Sequence, residues 1–249
     1  MISQTLMEKL LQLRLPAFRD GLREQISNPQ YAQLSFEDRL LLLVDLECNR
    51  RLDSRTKRRL KLADFPMQAT VEDLDFSPER GLERRLVLEL SQCNWVDQAL
   101  NILVSGATGT GKSFVACSLG TAAIRLGYSV RYFRTARFLL SLTRARQEGS
   151  YLNLLRSLSR TDVLILDDWM RDPVPLSAAQ DLLEVFDDRF GKSATIIASQ
   201  VPVSAWHARF PDPTLADALL DRTVHNAYQL PLLGDSQRKL RAARTLSHA

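Results

Sequence analysis

Residues 106–113 read GATGTGKS. The run satisfies G-x-x-x-x-G-K-[ST]. It directly follows the apolar stretch NILVS (101–105) and opens a helical pattern. That strand-then-helix context is the one in which the motif folds as a phosphate-binding loop. Gly106, Gly109 and Gly111 let the backbone turn tightly and bring its N–H groups against phosphate oxygens. The helix behind the loop aims its positive end at the same place. Lys112 suits neutralisation of β- and γ-phosphates, and the Ser113 hydroxyl suits Mg²⁺. The expected nucleotide-binding residues are therefore Gly106, Ala107, Thr108, Gly109, Thr110, Gly111, Lys112, Ser113 and Phe114.

The surrounding pattern is of one kind. Short apolar runs at 101–105, 129–133, 162–168 and 194–199 alternate with helical stretches to Leu126, to about Leu158 and over about 177–190. This alternation predicts parallel strands joined by crossover helices, a three-layer α/β domain. Gly127 is placed to stop the first crossover helix. Two strand tips carry polar groups. VLILDDW (163–169) ends in Asp167, the candidate for organising Mg²⁺, and Asp168, the candidate for polarising an attacking water. ATIIASQ (194–200) ends in Ser199 and Gln200. Ligands of open α/β sheets sit beyond the carboxyl ends of the strands, so these two residues either touch the terminal phosphate or simply cap the strand.

The first third reads as helical. Ile2, Leu6, Leu10 and Leu13 share one helix face, and Pro16 and Gly21 are expected to interrupt it or to mark a turn. Leu22 and Ile26 then continue a short helix up to Asn28–Pro29. Ser35 with Asp38 three residues on reads as an N-cap, and one helix is expected from there to Ala63, stopped by Phe65–Pro66. Over positions 50–61 stand seven basic residues and one acid, a local excess of +6 against +4 for the whole chain. Arg51, Arg55, Arg58 and Arg59 are spaced to share a face and are the candidate DNA-binding residues. Positions 82–100 read as a helix on Leu82, Leu86 and Leu90. The expected division is 1–66, a helical N-terminal domain for DNA binding and oligomerisation, and 67–249, the nucleotide-binding domain.

Composition narrows the class further. The three cysteines (Cys48, Cys93, Cys117) form no C-x-x-C. They argue against a disulfide framework and for a reducing, cytoplasmic setting, as buried small residues. The N-terminus carries Glu8 and no small-residue cleavage site, so no secretory signal is expected. No apolar run approaches the length of a membrane span. Trp95, Trp169 and Trp206 are expected in the core. His207 and His225, with Asp212, show no ligand spacing and are expected in packing or helix-end roles.

The phosphate loop, the DDW strand end, SQVPVSAWH (199–207) and DPTLADALLDRTVHNAYQLPLLGDSQRK (212–239) together resemble the IstB proteins. These are AAA+ ATPases that assist transposition of bacterial insertion sequences, close relatives of the DnaC helicase loaders. The resemblance spans almost the whole chain, including FPMQATVEDLDF (65–76). It implies a P-loop AAA+ fold with ATP and Mg²⁺ as cofactors. It implies Arg222 as an arginine finger reaching the site of a neighbouring subunit in a homo-oligomer, Gln200 as first sensor with Ser199 as its near alternative, and Arg238 as a weak second-sensor match. Two departures stand out. The second acid is Asp168, one methylene shorter than the Glu of most AAA+ enzymes, which implies a differently held water or slow hydrolysis. Only 19 residues follow Leu230, too few for a full C-terminal lid. The function so implied is an ATP-hydrolysing regulator that assembles on duplex DNA and engages the element's transposase. The alternative is a DnaC-like loader of a replicative helicase. A small-molecule kinase is disfavoured because adjacent acids suit water activation and the tail offers no lid. A fourth reading keeps ATP as assembly glue with negligible turnover.

Overall fold

The computed structural model describes residues 4–237, and the chain divides into two compact units, Met1–Arg58 and Arg59–Ala249. The first unit holds α1 (Gln4–Gln12), α2 (Pro16–Ser27) and most of α3 (Phe36–Ala63). In α1 the inward residues are Met7 and Leu10, while Leu6 and Leu13 are exposed; Ile2 lies outside the described residues. The interruption expected at Pro16 is there, since α1 stops at Gln12 and a new helix follows; the one expected at Gly21 is not. Pro16 opens α2, where its missing N–H costs nothing. Gly21 lies inside α2, where a Cβ would stand 2.6 Å from Leu46 Cδ1 of α3, so the absent side chain lets the two helices approach. Ser35 caps α3 as its spacing predicts: its Oγ accepts the Asp38 N–H (3.1 Å) and donates to the Asp38 carboxylate (2.6 Å).

One buried acid organises this unit. Glu47 of α3 accepts N–H bonds from Ala17 (2.9 Å) and Phe18 (3.4 Å) at the start of α2, and pairs with Arg50 (2.6 Å) and Arg51 (3.0 Å). The Arg50 guanidinium, then Arg51 and the two amides, hold its carboxyl down at about 2 against the burial that raises it. A carboxylate at a helix start satisfies orphan donors and meets the positive end of the helix dipole.

The second unit is a five-stranded parallel sheet in the order β2-β3-β4-β1-β5. The strands are β1 (Asn101–Gly106), β2 (Val130–Arg134), β3 (Val163–Asp167), β4 (Ala194–Ser199) and β5 (Ala227–Leu232). Alternate strand residues serve opposite faces. Ile102, Val104, Val163, Ile165 and Ile196 join one core with α4 (Arg84–Ser91), α5 (Asn94–Asp97) and α6 (Lys112–Arg125). Leu103, Leu164, Leu166 and Ile197 join the other with α7 (Thr135–Gln147), α8 (Tyr151–Ser159), α9 (Leu176–Arg189) and α10 (Pro213–Val224). This is the three-layer arrangement the alternation predicts. Trp95, Trp169 and Trp206 are all buried in it.

Three expectations change. The single helix expected over 82–100 is two, because Cys93 takes a left-handed φ of 61° and the Trp95 indole N–H caps the Leu90 carbonyl of α4 (2.8 Å). Cys93 and Cys117 are buried as expected, their thiols pushed up by that burial to about 11 and about 12, whereas Cys48 is exposed. β5 carries no sequence signal of the usual kind: it holds Pro231 and alternates at the sheet's edge, where a missing N–H is tolerated.

Candidate functional site

Parallel strands put the carboxyl ends of β1, β3 and β4 on one rim of the sheet, and the polar tips found in sequence meet there. The loop leaves β1 at Gly106 and enters α6 at Lys112. Gly109 and Gly111 have φ of +86° and +95°, which a side chain would oppose. Thr110 Oγ1 donates to the Ala107 carbonyl (2.9 Å), and Lys112 Nζ arches back over the loop to the same carbonyl (2.8 Å). From the tip of β4, the Gln200 Oε1 accepts the Thr108 hydroxyl (2.5 Å). Gln200 therefore stands at the phosphate loop. Ser199 does not: it is buried, donating to the Trp169 carbonyl (2.7 Å) and accepting the Val201 N–H (3.0 Å). Of the two, it is the Gln200 side chain that touches the loop.

Asp167 and Asp168 follow β3 on the same rim. Asp167 is 3% exposed and Asp168 half-buried with φ +56°. The Asp167 carboxylate accepts the Tyr132 hydroxyl (2.7 Å) on one oxygen and the Asp168 N–H (2.9 Å) on the other. Oxygen donors of this kind, with the Ser113 hydroxyl, fit a hard cation. Among the described residues no group of three or more His, Cys, Asp or Glu side chains could hold a metal ion.

Sequence reasoning missed two supports of the loop. Arg80 is buried, and its guanidinium donates to the Thr110 carbonyl and to that of Leu233 (3.4 Å). The Gln237 N–H donates to the Gly109 carbonyl (2.9 Å), and Ser236 lies so close that a Cβ on Gly109 would overlap it. The segment SPERG that supplies Arg80 reads as a turn, and nothing in it signals a phosphate loop thirty residues on. Arg238, the weak second-sensor match, lies outside the described residues.

Arg222 sits elsewhere. The Asn101 side chain, at the start of β1, donates to the carbonyls of Arg222 (3.0 Å) and Thr223 (3.3 Å). The strand places that point roughly 17 Å from the loop at its other end, at about 3.3 Å per residue. The Arg222 guanidinium pairs with Asp187 and donates to the Ala218 carbonyl (2.7 Å). It does not reach its own chain's phosphate loop.

The four basic candidates of α3 also separate. Arg55 and Arg58 face solvent; Arg51 is turned to Glu47 and the Arg14 carbonyl (3.2 Å); Arg59 is half-buried. His207 pairs with Asp217 (3.3 Å), Asp212 caps α10 by accepting the Leu215 N–H (2.9 Å), and His225 ends that helix. Asp212 and His225 thus take the helix-end roles expected, whereas His207 makes an exposed contact to the middle of α10.

Comparison with known proteins gives a consistent result. Residues 8–245 match the family model described as IstB-like ATP binding protein. An insertion sequence ATP-binding protein of Sinorhizobium fredii is 42% identical over 239 residues, covering 96% of this chain and 98% of the relative. Another, from insertion sequence IS1162 of Pseudomonas fluorescens, is 42% identical over 219 residues, 86% of this chain and 95% of that protein. Among solved structures, AMPPCP-bound DnaA from Aquifex aeolicus superposes with a TM-score of 0.59 at 18% identity, over 75% of this chain and 57% of that one. The DnaC helicase loader does so with 0.53 at 16%, over 66% and 96%. These two likenesses establish the fold, the P-loop AAA+ α/β architecture.

Proposed function

The chain belongs to the family of IstB-like ATP-binding proteins, and from that premise we propose that it is an ATP-hydrolysing, DNA-binding helper of transposition. ATP binds at Gly106–Phe114, where the backbone amides and Lys112 take the phosphates. Ser113 and Asp167 would hold Mg²⁺, which would supply charge neutralisation at the terminal phosphates. Asp168 accepts the proton of the attacking water, and Gln200, already at the loop through Thr108, orients the terminal phosphate or that water. Arg222 completes the site of the next subunit in a homo-oligomer, a contribution that in trans is worth about 10³–10⁵ in rate. The assembly grips duplex DNA through the basic face of α3 and presents it to the element's transposase.

The observation that carries this reading is the division of parts between the two ends of the sheet. Phosphate loop, acids and Gln200 share one rim, while Arg222 is at the other. A finger that cannot serve its own chain is of use only between chains. The relatives' names favour the insertion-sequence role over the helicase loader, since both are insertion sequence proteins over nearly their full length. Among the described residues no helix is long and apolar enough to cross a membrane.

Sedimentation with and without ATP and duplex DNA, paired with phosphate release in the absence of any acceptor, tests the proposal. Larger species with ATP, and phosphate release stimulated by DNA, are expected. A protein that sediments alike in all conditions and releases no phosphate would refute it.

A further inference from the structure

The turn after β3 is held in an unusual way. Asp168 and Met170 both have left-handed φ, 56° and 55°. Non-glycine residues persist in that region only where their surroundings over-determine them. Here three hydroxyls from three neighbouring elements do so. Tyr132 of β2 donates to the Asp167 carboxylate (2.7 Å), Thr135 at the start of α7 donates to the Asp167 carbonyl (2.9 Å), and Ser199 of β4 donates to the Trp169 carbonyl (2.7 Å). The Trp169 N–H closes the set on the Ala198 carbonyl (2.9 Å).

Of these, only Tyr132 touches the carboxylate itself. Its ring comes from the edge strand, paired through Tyr132↔Ile165, and is 8% exposed. With the Asp168 N–H on the other oxygen, both carboxylate oxygens have a donor and the group cannot rotate freely.

We propose that Tyr132 is a positioning residue for Mg²⁺–nucleotide binding: its hydroxyl, opposite the Asp168 N–H, fixes the orientation of the Asp167 carboxylate. The proposal rests on the nucleotide site argued above. Tyr132→Phe removes one oxygen and leaves the ring's packing, its edge contact with Phe65 (6.4 Å between centroids) included. Outer partners of metal-binding carboxylates are worth about tenfold or more in metal affinity.

The test is a fluorescent ATP analogue titrated into the full chain at a series of Mg²⁺ concentrations and in EDTA. For Tyr132→Phe we expect the Mg²⁺ concentration at half-effect to rise about tenfold, with analogue binding in EDTA unchanged. Tyr132→Met, also without the hydroxyl, must behave alike. Tyr128→Phe, which loses a comparable bond to Asp97 (2.7 Å) at the other end of β2, must follow the wild type. If Tyr132→Phe keeps the wild-type Mg²⁺ response and only its melting temperature falls, the hydroxyl is a packing bond and the inference is overturned. If Tyr128→Phe shifts the response equally, it is overturned as well. A wild type that shows no Mg²⁺-dependent binding removes the nucleotide site itself, a distinct result.

Discussion

At the residue scale, Asp167 and Asp168 stand in different surroundings although they are adjacent. Asp167 is buried with both carboxylate oxygens occupied by donors from its own chain. Asp168 sits on a left-handed turn at the rim. Asp168→Asn is therefore expected to bind ATP and assemble as the wild type does, with steady-state phosphate release lowered about 10²-fold or more, the scale of a positioned general base. Turnover near wild type would show that Asp168 is not the base. The loop, both acids and Gln200 were legible in sequence because each stands at the end of an apolar strand, and parallel strands bring such ends together. Ser199 was not separable from Gln200 by that logic. Alternation decides which one turns into the core, but the reading had no anchor for which face was inward at the strand's last residue. Arg80 and Ser236 were illegible, because they meet the loop only through long-range folding.

At the element scale, α3 differs in character along its length. Its middle is a structural anchor. Glu47 holds α2 and is kept near a pKa of about 2 against an ordinary 4.5. A carboxyl whose folded value is depressed contributes stability that is complete above its unfolded value and is lost as pH falls toward the folded one. Amides at the start of α2, Ala17 and Phe18, should thus exchange faster with solvent as pH drops from about 4.5 toward about 2 than the ordinary pH dependence of exchange predicts. Glu47→Gln should lose that excess change and show weaker protection at neutral pH. Identical protection in the two proteins would contradict the anchor. The later turns carry the basic face. Arg55 and Arg58 face solvent, so Arg55→Ala and Arg58→Ala are each expected to lower the slope of log affinity against log salt for duplex DNA by about one. Slopes that stay unchanged take α3 out of the DNA interface. The charge run and the cap at Ser35 were readable from composition and spacing alone. Gly21, which looked like an interruption, was misread because a close helix crossing and a turn both call for glycine. β5 was missed because an edge strand with a proline breaks the apolar-run rule that found its four partners.

At the scale of the whole molecule, the finger role proposed for Arg222 requires a second chain, because Arg222 lies away from its own phosphate loop. In the isolated chain Arg222 is paired with Asp187, a partner it must leave to enter a neighbour's site. Lys112→Ala and Arg222→Ala are each expected to be inactive alone. A mixture should recover activity, because a Lys112→Ala subunit still offers its arginine to the intact loop of an Arg222→Ala subunit. No recovery over a range of mixing ratios would count against a shared site. All of this depends on residues 106–113 taking up ATP. The direct measurement is a calorimetric titration of Mg²⁺–ATP into the wild type and into Lys112→Ala. The account predicts saturable binding with close to one nucleotide per chain for the wild type and none detectable for the variant. Heat from the wild type no greater than dilution, or equal binding by both proteins, would contradict it.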